Sequence, residues 1–530
     1  MADSRLRTYD ELYNADYKKQ AAKWQLCDDC FSGEETVKAK WQDYIDIPKA
    51  KQNNEQLRKA YISRGKFPAF PADTLEQSIG ILGSAVPDIT FDGKAKKLDY
   101  LRDYATPFRD GATALFARVV ANVLRYGRYC LLLEPNNNPQ GGFHINEYKP
   151  QKFMRCKIEG EDGESYARMI LLDTSYTDYD TGVWKETYTP QITVLALDGR
   201  GEYYQAKFGG TAVAVSRYND AGEMIFEDPS ALNDAKDSIM VRLLNFNIFE
   251  PDPGLPDDFV YPDKFGKRFD RIPFTCINAQ DLHLTRYGDV PLLKLCRQCL
   301  HILNADCDHQ NLLFMTSDPK PTIIGGDGDA KNLYLGVDGV LCLPEGFTFS
   351  FVSPQAIGLD QQRQNIQEMM ETARKMGVSL SGTESAAYTP GVSLELLRNA
   401  QTAALKIINR NCGAGVEEQL RFAGKWSGMT DEEVNRDIKF VPSDAFAEIK
   451  ATAAECVSVA MNAGTLKMTE KEVRQFVEKS GLADARDWEE LKEELDAEAQ
   501  ERSDRELNSA KNAFGFTNPE PEEDDQKKEP

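Results

Sequence analysis

Apolar residues recur at helical spacing in two stretches separated by a short polar gap. In residues 359–377, Ile366, Met369, Met370, Ala373 and Met376 fall at steps of three or four and share one helical face. Asp360, Gln364, Gln367, Glu368, Glu371 and Lys375 fall on the other face. Residues 378–391, VSLSGTESAAYTPG, break the pattern. Small hydroxyl residues, two glycines and a proline bury little and are not expected to continue a helix. Helical spacing returns over 392–412, where Leu394, Leu397, Ala404, Leu405 and Ile408 line one side. Glu395, Arg398, Thr402, Lys406, Asn409 and Arg410 line the other. The pattern predicts two helices joined by a loop. Taken alone, its plainer reading is a surface helix pair in an ordinary globular protein.

The flanking regions give this pair its context. Residues 1–130 read as mostly helical, with a helix at about 73–83 and a longer one at 108–126. Leu115, Val119 and Val123 mark the buried face of the longer helix, which stops at Gly127 and runs into an apolar strand at 129–133. Residues 129–280 read as strand-rich. Segments 167–174, 191–197, 202–207, 211–216 and 272–277 carry β-branched or aromatic residues, and Asp198-Gly199 signals a hairpin. Residues 250–269 are rich in Pro, Asp and Gly and read as loop.

At Asp289 the pattern turns helical, with Asp289 a candidate N-cap and Pro291 in the first turn. Leu292, Cys296, Cys299, Leu303 and Cys307 hold one face as far as about Leu313. Short strands follow at 322–325, 333–335 and 340–343, with Asp338-Gly339 a turn and Phe347, Phe349 and Phe351 alternating. A long helix thus enters a compact β module at 314–358, and the helix at 359–377 leaves it. Beyond 412, Gly413 and Gly415 allow a bend or a stop. Residues 443–482 read as short helices, with a capping box at Thr469 and Glu472. A highly charged helix is expected over 484–513, and the acidic tail is disordered on composition. The fold class expected is α+β.

Composition narrows the functional classes. A net charge of −22 argues against gripping nucleic acid through a broad basic face, yet suits a wall past which DNA must slide. No segment approaches the roughly 18 apolar residues of a membrane span, and the opening MADSRLRTYDELY lacks a signal segment, so a cytoplasmic soluble protein is expected. Eleven cysteines in that setting do not predict a disulfide framework. Cys27/Cys30 and Cys296/Cys299 have C-x-x-C spacing, but Cys296, Cys299, His301, Cys307 and His309 on one helix cannot converge on zinc, and buried cysteines serve as small hydrophobes. Asp327 and Asp329 resemble the start of a calcium loop, with Lys331 and Asn332 where a ligand and the glycine belong. No cofactor is expected. There is no phosphate loop, nucleophile elbow or H-E-x-x-H, and no enzyme activity is expected.

Three stretches carry a resemblance: IPFTCINAQDLHLTRYGDVPLLKLCRQCLHILNADCDHQNLLF, LCLPEGFTFSFVSPQAIGLDQQRQNIQEMMETARKMG and TPGVSLELLRNAQTAALKIINRN. In their order and spacing the chain resembles the portal proteins of tailed bacteriophages, in a variant common among prophages. The resemblance implies a wing at 1–288, a stem helix at 289–313, a clip at 314–358, a second stem helix at 359–377 and a tunnel loop at 378–391. A long wing helix at 392–435, a helical crown at 436–515 and a disordered tail at 516–530 complete it. It further implies a homo-oligomeric ring of about twelve subunits at one capsid vertex of a virion, assembled in the host bacterial cytoplasm. Implied partners are double-stranded DNA without sequence specificity, the terminase large subunit, head-completion, adaptor or tail proteins, and capsid or scaffold proteins, with no membrane. Ser379, Ser381, Gly382, Thr383, Glu384, Ser385 and Tyr388 would line the channel. Arg363, Arg374 and Lys375 are candidates for a basic belt, and Asp327, Asp329, Lys331, Asn332 and Asp338 for a partner surface. Another head–tail connector and a non-viral cytoplasmic scaffold are the alternatives.

Overall fold

The computed structural model describes residues 8–443 and residue 500, apart from 84–85, 137–141, 162–163, 181–184, 220–221, 265, 318–319, 325–347, 353–357 and 382–390. The chain divides into two compact units, Met1–Ala447 and Glu448–Pro530. Every element named below belongs to the first. The expected capping box at 469–472 and the tail lie outside the described residues, as does the charged helix apart from residue 500.

The first unit opens with helices α1 (Ala15–Ser32), α2 (Glu34–Ala39), α3 (Trp41–Tyr44), α4 (Lys49–Gln52), α5 (Glu55–Arg64) and α6 (Phe70–Gly83). Asn14 caps α1 by accepting the Tyr17 amide at 2.6 Å. Strand β1 (Asp88–Phe91) and helix α7 (Ala112–Tyr126) follow. Leu115, Phe116, Val119, Val120, Val123 and Leu124 form the buried stripe of α7. The helix ends at Gly127, whose φ of 73° is left-handed, and a Cβ there would stand 2.5 Å from the Asp289 carbonyl. Asp289 therefore packs against the end of α7 and does not open the helix expected at 289.

The chain then runs through β2 (Arg128–Pro135), β3 (Phe143–Tyr148), β4 (Phe153–Glu161), β5 (Glu164–Asp173), β6 (Tyr176–Asp180) and β7 (Lys185–Thr189). After these come β8 (Gln191–Leu197), β9 (Tyr203–Gly209), β10 (Val213–Tyr218), β11 (Met224–Phe226) and helix α8 (Pro229–Asn245). Strands β12 (Asp258–Val260), β13 (Asp263–Lys264), β14 (Lys267–Arg268) and β15 (Phe274–Asn278) lie beyond. A five-stranded antiparallel sheet has the order β12-β9-β8-β5-β4, and a smaller one the order β11-β10-β7-β6. The β8–β9 turn falls at Asp198, whose side chain accepts the amides of Arg200 and Glu202 at 2.9 Å each.

The five-stranded sheet is buried on both faces. Ile192, Val194, Ala196, Tyr204 and Phe208 join a cluster with Ile239 and Met240 of α8, while Leu195, Leu197 and Tyr203 join the main core. That explains the nearly unbroken apolar run of β8. Helix α8 interrupts a region read as strand. Its start carries a signal, since Asp228 accepts the Ser230 amide at 2.9 Å and Pro229 occupies the first turn.

The main core surrounds the sheet β15-β2-β3. Trp24 of α1 is buried there and donates Nε1–H to the Tyr126 carbonyl at 2.9 Å. The C-terminal part of the unit holds α9 (Leu293–Ser317), β16 (Lys320–Ile324), β17 (Thr348–Val352), α10 (Leu359–Ser381), α11 (Gly391–Trp426), α12 (Asp431–Asp437) and β18 (Ile438–Val441). Helix α11 crosses the core sheet. There Gln419 donates to Thr275 Oγ1 at 2.8 Å and Trp426 stacks on Phe269 at 4.9 Å. Strand β18 pairs antiparallel with β1, and of the helical crown expected over 436–515 only residues 436–443 and 500 are described.

Candidate functional site

The helix expected at 289–313 spans Leu293–Ser317, a shift of about one turn towards the C-terminus. Its first half is core: Leu295, Cys296, Cys299, Ile302, Leu303 and Cys307 are buried. Beyond Asp308 the helix emerges, and Leu313, Phe314 and Met315 are exposed. The first part of α10 is also exposed, and burial begins at Ile366. Between the emerging ends, β16 and β17 form an antiparallel ladder from Lys320↔Val352 to Ile324↔Thr348. Deeper in, Gln298 of α9 donates to the Met369 carbonyl of α10 at 3.4 Å. The two helices therefore run antiparallel as a stalk that carries a β hairpin base.

Polar contacts anchor the stalk where it leaves the core. Asp306 is buried and accepts the Lys66 amide at 2.8 Å. Asp308 accepts the Tyr61 hydroxyl at 2.7 Å, and Asn304 bridges the Asp46 amide and the Tyr44 carbonyl, each at 2.9 Å. Burial, with the Asp308 hydrogen bond, pushes the Tyr61 phenol far above its ordinary value, so it stays protonated and donates. Burial and then the Arg64 charge lower the Lys51 ammonium, which lies 4.7 Å over the Tyr61 ring. The Arg64 guanidinium sits 3.6 Å over the Phe314 ring and partly covers the exposed apolar end of α9.

Helix α10 continues to Ser381, four residues into the expected loop. The helix passes through Gly377, where a Cβ would stand 2.7 Å from Thr74 Oγ1, and Val378–Ser381 hold neither glycine nor proline. Ser379 and Ser381 therefore lie on helical backbone. Gly382, Thr383, Glu384, Ser385 and Tyr388 lie outside the described residues, as do Asp327, Asp329, Lys331, Asn332 and Asp338. Arg363, Arg374 and Lys375 are exposed on α10. Arg363 and Arg374 are eleven residues apart, about three turns, so they share one flank. Lys375 projects about 100° away from Arg374 and does not join them. Arg374 lies 5.6 Å over the Phe70 ring of α6, beside the packed face.

Helix α11 runs unbroken through Gly413 and Gly415, where a bend or stop was expected. These glycines serve close packing. A Cβ at 413 would stand 2.6 Å from Pro442, and one at 415 would overlap Ile277.

Two thiol clusters were not foreseen. The C-x-x-C pairs of α1 and α9 come together, with Cys30 Sγ 4.0 Å from the Cys296 carbonyl. Contacts from Cys27 and Cys30, with burial, push the Cys296 thiol far above its ordinary value. The signal available was the repeated spacing. Cys130 Sγ lies 3.0 Å from Cys276 Sγ in the β2–β15 ladder, with no sequence signal at all. Among the described residues, no group of three or more His, Cys, Asp or Glu side chains is placed to hold a metal ion. Among them, too, no helix is long and apolar enough to cross a membrane.

A family described as "Domain of unknown function (DUF4055)" matches residues 291–427, the span from the stalk entry to the end of α11. No curated protein matches the chain significantly. Solved structures similar to it include "Neck of native GTA particle computed with C12 symmetry", at 12% identity, a TM-score of 0.34, and coverage of 77% of this chain and 89% of that one. "Virion of native gene transfer agent (GTA) particle" is similar at 11% identity and a TM-score of 0.34, covering 77% and 88%. "Neck of empty GTA particle computed with C6 symmetry" follows at 12% and 0.35, covering 76% and 87%.

Proposed function

We propose that this chain is the subunit of a portal-like ring, a head–tail connector at one vertex of a phage-type particle through which double-stranded DNA passes. The observation that carries the reading is the stalk. Helices α9 and α10 leave the core side by side, join through a β ladder, and are followed by a helix of 36 residues laid across the core sheet. A projecting antiparallel stalk of this kind suits a subunit that hands its outer end to a partner while its body packs in a ring.

In this reading, residues 382–390 with Ser379 and Ser381 face the channel. Hydroxyls there touch phosphates without holding them, and the acidic chain keeps DNA from sticking. Arg363 and Arg374 form a sparse basic row, and Lys375 faces elsewhere. Residues 327–338 meet the packaging motor and later the adaptor or tail. Ring closure uses two different patches of one chain. Exposed apolar side chains on the stalk (Leu313, Phe314, Met315) and on α8 (Val241, Leu244) supply area for that contact. In this reading the chain conducts, docks and seals.

The test is negative-stain microscopy of the purified full-length protein, with averaged end views. Rings of about twelve subunits with an open centre are expected. Monomers or dimers that persist across salt and concentration, and also in the presence of the particle's shell proteins, overturn the reading.

A further inference from the structure

We infer that Cys130 and Cys276 are a reversible dithiol–disulfide pair, closed by a hydroperoxide oxidant, that locks β2 to β15 beside the buried guanidinium of Arg128. The inference rests on no functional reading of the chain.

The register places the pair. Cys276 is the ladder partner of Cys130. Leu133 donates to the Pro273 carbonyl at 3.0 Å, and Ala279 to the Gly127 carbonyl at 3.0 Å, which fixes the hydrogen-bonded pairs at odd-numbered residues of β2. Cys130 therefore sits at a non-hydrogen-bonded position, where Cα atoms stand about 4.5 Å apart and side chains lie closest. That separation is within the range a disulfide spans. The sulfurs are already 3.0 Å apart, so closure needs only a small side-chain adjustment.

Arg128 supplies the chemistry. Its side chain is 1% exposed, and Nη2 donates to Cys276 Sγ at 2.9 Å. The guanidinium also donates to the carbonyls of Leu284 and Arg286 and lies 4.6 Å from the rings of both Phe153 and Tyr287. Among the described residues it forms no ion pair with a carboxylate. A buried cation without a counter-charge is costly, and the ionisable atom it touches is the Cys276 sulfur. Burial opposes ionisation of that thiol. The Cys130 hydrogen bond and the Arg128 charge outweigh it and bring Cys276 down to about 7, while burial pushes Cys130 well up. The pair is thus one thiolate nucleophile and one protonated resolving thiol.

The reaction balances without further groups. The Cys276 thiolate attacks one oxygen of hydrogen peroxide, the O–O bond breaks, and hydroxide leaves as a sulfenic acid forms. The Cys130 sulfur then attacks the sulfenic sulfur. The S–S bond forms, the S–O bond breaks, and the thiol proton leaves with the hydroxide as water. Two thiols are oxidised and one peroxide is reduced to two waters. The product closes a long loop between β2 and β15, the kind of crosslink that constrains an unfolded chain strongly. A reducing compartment keeps the pair open, and oxidising surroundings close it.

The test uses the full-length protein, reduced, desalted and exposed to stoichiometric hydrogen peroxide. It is then alkylated under denaturing conditions and mapped by non-reducing peptide mass spectrometry. Expected is one crosslinked peptide pair containing Cys130 and Cys276, a loss of about 2 Da per chain, and a thermal midpoint raised by a few degrees. Dithiothreitol should reverse all three. Cys276→Ser should abolish the crosslink, and Arg128→Lys should slow its formation less than Arg128→Met. Cys296, whose thiol is pushed up, should stay alkylatable throughout. The inference is overturned if Cys130 and Cys276 are both alkylated after peroxide, if Cys276 pairs with Cys156 instead, or if Cys276 goes on to sulfinic acid with Cys130 free. Should Cys276→Ser fail to fold, the peptide map of the unaltered protein decides alone.

Discussion

Gly415 of α11 lies directly against Ile277 of β15, so close that a Cβ at 415 would overlap the Ile277 side chain. The contact lets the long helix press onto the strand that precedes the stalk. It also explains why a glycine persists mid-helix, where it costs about 1 kcal/mol relative to alanine. Gly415→Val should destabilise the fold by about 1–3 kcal/mol through overpacking. Gly80 in α6 has nothing within 4 Å of its Cβ direction, so Gly80→Ala should be neutral or stabilising by up to about 1 kcal/mol. Thermal midpoints of the two variants check the contrast. Equal effects would mean that α11 does not sit on β15 this closely.

Asp29 and Lys40 form an ion pair at 2.9 Å with side chains only 4% and 11% exposed. Gln25 and Tyr44 add hydrogen bonds to the same carboxylate. Asp29→Ala should cost about 3–5 kcal/mol, because Lys40 keeps a buried charge without its partner. Adding Lys40→Met should recover part of that loss. A double-mutant cycle by denaturant titration measures the coupling, and additive losses would show that the pair does not interact.

Glu134 on β2 predicts a pH dependence. Burial opposes its ionisation, but the His144 ring 3.6 Å away, a hydrogen bond from Gln205 at 2.8 Å and the nearby charge of Lys207 together hold its carboxyl below the ordinary value. A lowered folded pKa contributes stability that is present above the unfolded value, about 4.3, and lost as pH falls through the folded one. Glu134→Gln should therefore flatten the fall in thermal midpoint below about pH 4.3. An acid limb as steep as that of the unaltered protein would count against the assignment.

On the proposed portal-like reading, removing residues 382–390 should leave ring assembly intact and impair DNA packaging or retention, since α10 and α11 are already formed on either side. The readouts are end-view microscopy and the length of packaged DNA. Full-length DNA, normally retained, would remove this segment from the channel role. Arg363→Ala should change stability by less than about 0.5 kcal/mol, as expected for an exposed helix charge. Any defect it causes in DNA passage is then a surface effect.

Local pattern went far in the stalk. The steps of Ile366, Met369, Ala373 and Met376 mark the packed face of α10, and the alternating Phe349 and Phe351 sit in a strand paired as a hairpin base requires. Periodicity and turn chemistry act over a few residues, so they are legible one segment at a time. Boundaries were less so. Helix α10 runs on past Gly377 through Val378–Ser381, and Asp289 abuts Gly127 instead of capping α9.

By itself the sequence determined the α+β class, the order of helix, strands and helix in α9, β16, β17 and α10, the buried stripe of α7 and the continuous apolar run of β8. Each follows from side-chain period and size alone. Tertiary structure decided what Gly413 and Gly415 are for, which cysteines meet, and that Arg128 points its charge at Cys276 and not at water. Those outcomes join residues far apart in the chain, through contacts that exist only once α11 and the strands share one core.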